Sequence, residues 1–141
     1  MRDECQALAR IHTRVSDAIS GYQELGRRGL GSTVPLAAAM AELHQRHRDS
    51  LLGMLSSRGC EPAPDGGFMA LLHEGVMRPR DWIDDLDDDL PARLRDAEER
   101  IVGLYDEAID AMRDSVPERF ALAGQRGELT TRIAEVEKRA A

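Results

Sequence analysis

CQALARIHTRVSDAISGYQEL, residues 5–25, decides the fold. Cys5, Leu8, Ile11, Val15, Ala18, Ile19, Tyr22 and Leu25 recur at three- and four-residue steps, which on a helix of about 3.6 residues per turn draws one apolar stripe down one face. A half-buried strand would alternate at every second residue. That alternation occurs nowhere along the chain, and the spacing predicts a first helix from about Asp3 to Arg27.

The same reading extends outward. Gly29-Leu-Gly-Ser-Thr33 breaks the first helix. Thr33 is placed to cap a second one, with Pro35 in its first turn, where a missing N–H costs nothing. Leu36, Met40, Leu43, His47, Leu51 and Met54 form its stripe, which should end near Arg58-Gly59. A third helix, about Pro91 to Arg113, carries Leu94, Ala97, Ile101, Leu104, Tyr105, Ala108 and Met112. Ser115-Val-Pro-Glu118 is a capping-box pattern that starts a fourth helix, whose stripe is Leu122, Leu129, Ile133, Val136 and Ala140. Gly124 and Gly127 fall inside that helix and suggest a close helix contact.

Between the second and third helices lies a turn-rich stretch, Glu61-Pro-Ala-Pro-Asp-Gly-Gly67. Phe68, Met69, Leu71, Leu72, Val76 and Met77 then spell a short helix stopped by Pro79, with Trp82, Ile83 and the acidic run Asp84-Asp-Leu-Asp-Asp-Asp-Leu90 behind it. The acidic run fails as a calcium loop, because Leu90 stands where glycine is needed and Asp96 where glutamate is needed. Its carboxylates suit the positive end of the third helix instead. The interval reads as a long connection, so residues 1–141 are expected to form one domain.

Helices of this length span roughly 35 Å. Short turns make the first pair antiparallel, and likewise the second pair, while the long interval permits an end-to-end crossover. The expected fold is all-α: a ferritin-like antiparallel four-helix bundle with one long crossover containing a short extra helix.

Composition narrows the function classes. A net charge of −7 and a pI near 5.1 oppose binding to a phosphate backbone, which Lys and Arg must neutralise. No apolar run approaches the ~18 to 20 residues that span a bilayer, and Met-Arg-Asp-Glu-Cys at the start has no apolar signal core behind it. No nucleic acid, no membrane and a cytoplasmic location are the expectations. Aromatic residues at 4% leave an aliphatic core with six Met. Cys5 and Cys60 lack CxxC spacing and are expected as reduced thiols, although an antiparallel first pair would carry both to the same end.

The side chains that could carry chemistry are few. His47 falls within the second stripe between Leu43 and Leu51, and His44 lies on its flank. Two imidazoles at i and i+3 can share a transition ion. Glu98, one turn after Leu94, and His12, between Ile11 and Val15, flank the stripes of their own helices. A mixed site of His12, His44, His47 and Glu98 needs all four at one level. Otherwise each is a core-edge polar group bonded to its neighbours.

Several short stretches together resemble a known family. They are Gly21-Tyr22, a His-bearing second helix ending in Arg58-Gly-Cys-Glu-Pro62, Asp65-Gly-Gly-Phe-Met69 with His73, Ala97-Glu98, and Tyr105-Asp-Glu-Ala108. The chain resembles an uncharacterised bacterial ferritin-like four-helix-bundle family, a domain of unknown function. The resemblance implies a ferritin-like bundle. Di-metal bundles of that kind draw one Glu from each of two helices and Glu-x-x-His from each of the others. Glu98 matches one such acid, but Ile19 stands where the first helix should ligate. The second helix offers His44-x-x-His47, and the fourth offers Glu128-x-x-Thr131 with no histidine.

The expected function is therefore non-catalytic: a bundle acting through homo-oligomerisation or a protein partner, without a cofactor. The alternative is a metal-binding or redox protein holding iron, manganese or zinc through His44, His47 and Glu98, with His12 as a further candidate.

Overall fold

The computed structural model describes residues 2–29, 33–60 and 90–140. They form four helices: α1 (Arg2–Arg28), α2 (Thr33–Ser57), α3 (Leu90–Ala111) and α4 (Val116–Ala140). No strand occurs among the described residues, so the fold is all-α. The expected short helix with Phe68, Met69 and His73, and the Trp82 and acidic stretches before Leu90, lie outside the described residues. None of the described helices is long and apolar enough to cross a membrane.

The helix ends follow from local chemistry. Asp3 and Glu4 occupy the first turn of α1 and Arg27 and Arg28 its last, each sign opposite to the helix pole beside it. Arg27 and Arg28 also reach back to Glu24, the latter through Nε at 2.9 Å. Gly59 ends α2 with φ of 71°, a left-handed conformation open to glycine. The Cys60 N–H then donates to the Leu55 carbonyl at 2.8 Å and the Gly59 N–H to that of Ser56 at 3.1 Å, the paired bonds of a Schellman stop. At the start of α4 the Arg119 N–H donates to the Ser115 carbonyl at 3.0 Å, which makes Ser115 the capping position.

The chain divides into two compact units, one of Leu8–Asp84 and one of Met1–Ala7 with Asp85–Ala141. In the first, α1 and α2 form an antiparallel hairpin. A Cβ built on Gly26 would stand 4.0 Å from the Ala37 Cβ, and four residues back along α1 Tyr22 meets His44, further along α2. Leu8, Ile11, Val15, Ala18, Ile19, Tyr22 and Leu25 are all buried, as the opening stripe requires. Met40, Leu43, Leu51 and Met54 do the same on α2.

In the other unit α3 and α4 also run antiparallel. The Arg126 Nε pairs with Asp106 at 2.6 Å, and nearer the turn the Arg119 side chain donates to the Arg113 carbonyl at 3.4 Å. Leu94, Ile101, Tyr105 and Ala108 are buried on α3, Met112 in the turn just after it, and Leu122, Leu129 and Ile133 on α4.

Two expectations are corrected. Cys5 and Cys60 are disulfide-bonded rather than reduced thiols. The thiol reading rested on compartment alone, whereas bonding depends on where helix packing carries the sulfurs, and disulfides persist in oxidising surroundings. Gly124 and Gly127 mediate no close contact, because a Cβ at either meets nothing within 4 Å. The Gly127 carbonyl instead accepts hydroxyl bonds from Thr130 and Thr131, each at 2.9 Å.

Candidate functional site

Each hairpin buries polar side chains among its aliphatic residues. On α2, His44 is 0% exposed and His47 2%. Their placement on one face follows from the three-residue step, and the ring centroids lie 6.4 Å apart in an edge-on arrangement. Tyr22, from α1, stacks on His44 with centroids 6.0 Å apart and 21° between planes. His44 was expected on the flank of the stripe, yet the tyrosine ring covers it and it is buried at least as deeply as His47.

His12 lies half-buried on α1, and its pKa is lowered, first by burial and then by the Arg48 guanidinium. That neighbour makes the His12 end of the hairpin unattractive to a cation. On another face of α1, one turn apart, Thr13 Oγ1 and Asp17 Oδ2 are buried without a hydrogen-bond partner among the described residues. Burial raises the Asp17 pKa to about 6, against the opposing pull of Arg14.

Glu98 belongs to the other unit and is also buried, at 2% exposed. Its carboxylate, with that of Glu128, acts on Tyr105, whose ionisation is pushed well upward by burial first and these charges second. The phenol therefore stays protonated and donates to the Gln125 Oε1 at 2.8 Å, inside the hairpin. Gln125 is a buried polar group that the sequence reading passed over. Its signal was present: it sits three residues after Leu122 and four before Leu129, on the apolar stripe of α4.

The fully enclosed donors are thus two imidazoles in one hairpin and a carboxylate, a phenol and an amide in the other. Among the described residues, no three His, Cys, Asp or Glu side chains gather as a metal-holding group. Glu42, Glu128 and Thr131 are exposed. Two imidazoles alone supply fewer ligands than a structural or catalytic transition-metal site takes from protein.

The class that these observations define is an all-α protein built from antiparallel helix pairs with polar groups enclosed. Residues 3–111 match the family described as Domain of unknown function (DUF2383), and the chain belongs to that family. The matched stretch ends with α3, so α4 lies beyond it. Neither the curated proteins nor the solved structures hold a match to the chain.

Proposed function

We propose that this chain is a non-catalytic helical bundle, ferritin-like in arrangement with one long crossover, that acts by associating with a second copy or with another protein. One observation carries the reading. Val116 and Phe120, one turn apart on α4, are 70% and 81% exposed, the largest exposures among the described large apolar residues. Single exposed apolar groups are ordinary, but an aromatic and a branched residue side by side on a helix face form a surface that favours leaving water. The enclosed polar groups serve specificity of packing in this reading.

Sedimentation of the purified chain from about 1 to 100 μM, beside Phe120→Asp, tests it. The expected result is a wild-type mass above that of one chain that falls to one chain in the variant. A single-chain mass throughout the range overturns self-association.

A second reading rests on His44 and His47, both buried and edge-on to one another on α2, two of the four residues singled out by spacing. Here the two imidazoles supply ligands to a transition ion such as iron, manganese or zinc. Metal analysis of untagged protein and of a His44→Ala, His47→Ala variant decides it. Stoichiometric metal lost in the variant supports this reading; wild-type protein that takes up no metal from saturating iron, manganese or zinc removes it.

A further inference from the structure

The chain has two cysteines and both are disulfide-bonded, so Cys5 and Cys60 are bonded to each other. The bond lies on the seam of the α1–α2 hairpin. Cys5 stands as far back along α1 from Tyr22 as Cys60 stands forward along the chain from His44, to within one residue, and Tyr22 and His44 are stacked. The same antiparallel register therefore brings the sulfurs together at the end where α1 begins and α2 stops.

This end is held differently from the rest of the hairpin. The larger buried aliphatic residues begin with Leu8 on α1 and finish with Met54 and Leu55 on α2. Beyond them Gln6, Ser56, Ser57 and Gly59 are exposed, and both cysteines are only half-buried. The N–H bonds of the helix stop and the disulfide fix the end of α2 there. A disulfide that solvent reaches, outside the aliphatic core, is of the kind that exchanges with external thiols. The buried stripes and the Tyr22–His44 stack set the register without the bond, so the two cysteines stay opposite one another once it opens. With no third cysteine in the chain, re-closure has a single intramolecular product.

We infer that Cys5–Cys60 is a reversible thiol–disulfide exchange site, opened by a dithiol reductant, whose opening releases the end of α2 and leaves the hairpin folded. A thiolate of the reductant attacks one cysteine sulfur, the S–S bond breaks, and the other cysteine leaves as a thiolate that takes a proton from solvent. The second thiol of the reductant, having lost its proton, then attacks the mixed disulfide and frees the first cysteine, which is protonated in turn. The protein gains two electrons and two protons, and the dithiol is oxidised to its own disulfide.

The test uses the full chain under native conditions with dithiothreitol, followed by alkylation with iodoacetamide and measurement of the intact mass. The expected result is two alkylated thiols without denaturant and an unchanged helical circular dichroism signal. Amide hydrogen exchange at Gly59 and Cys60 should rise at least about tenfold, while Leu43 and Leu51 keep their rates. Oxidised glutathione should then restore the bond and the slow exchange. A Cys5→Ser, Cys60→Ser variant should fold and show the fast rates with or without dithiothreitol. A bond that yields only in denaturant is a sealed structural one and overturns the inference. Loss of the helical signal on reduction, or a variant that does not fold, overturns it too, because the hairpin then needs the bond. Equal Gly59 and Cys60 exchange rates in the oxidised and reduced protein mean that the bond restrains nothing, and have the same consequence.

Discussion

Replacing Tyr105 by Phe removes one oxygen from the middle of the α3–α4 hairpin. The hydroxyl is fully buried and donates to the Gln125 Oε1 at 2.8 Å, and Gln125 is only 6% exposed. A net hydrogen bond contributes about 0.5 to 1.5 kcal/mol, but a buried acceptor deprived of its donor adds a desolvation cost of about 1 to 3 kcal/mol. The slight exposure of Gln125 lets the amide recover some water, so we expect a loss of about 2 kcal/mol rather than the upper bound. For a chain of this length that corresponds to roughly 8 °C in Tm. Urea unfolding should move its midpoint with an unchanged slope, since the substitution alters stability and not the area exposed on unfolding. Gln125→Leu should also destabilise, by removing the amide oxygen that accepts from the phenol. The double variant should cost less than the two single losses together, by a coupling of about 1 kcal/mol or more. Strict additivity, with Tyr105→Phe costing under about 0.5 kcal/mol, would refute the claim that this bond joins the two helices.

Three further outcomes follow from other residues. The Asp17 pKa is raised to about 6, so its favourable protonated form is fully present below the ordinary carboxylate value of 3.8 and its contribution is lost as pH rises through about 6. Asp17→Asn should therefore raise Tm at pH 7.5 and give a gain that shrinks towards pH 4; a gain independent of pH would contradict the burial of the charge. His12 runs the opposite way, because its lowered pKa means that protonation below its ordinary value of 6.5 destabilises the fold, and His12→Gln should make thermal unfolding less sensitive to acid between pH 6.5 and 4.5. Because both cysteines are disulfide-bonded, native protein should show no titratable thiol, and reduction should lower stability by about 2 to 5 kcal/mol in thermal melts.

How much of this was legible follows residue by residue. The helices were readable because their stripes are strong: the spacing predicted Asp3 to Arg27 where α1 spans Arg2–Arg28, and Pro91 to Arg113 where α3 spans Leu90–Ala111. Gly59 marked the end of α2 in sequence and stops it in the structure through its positive φ. The site was legible in part. His47 was placed inside from its position between Leu43 and Leu51, but the depth of His44 depends on the Tyr22 ring, which belongs to another helix and has no signal in the α2 sequence. Glu98 read as a flanking residue and is 2% exposed. The disulfide-bonded state depends on how helices bring distant residues together, and periodicity along one segment carries no information about that.

The Tyr105–Gln125 bond also acts as a register pin. Two aliphatic stripes tolerate a slide by one turn, about 5.4 Å, since leucine meets leucine at either setting. A phenol and an amide do not, because a one-turn slip would set both polar ends against methyl groups. The salt bridge from Arg126 to Asp106, one residue along on each helix, repeats the same alignment at the surface. Axial position along this hairpin is thus encoded in a pair of residues 20 apart, and the aliphatic positions around them are free to vary in shape without losing the setting.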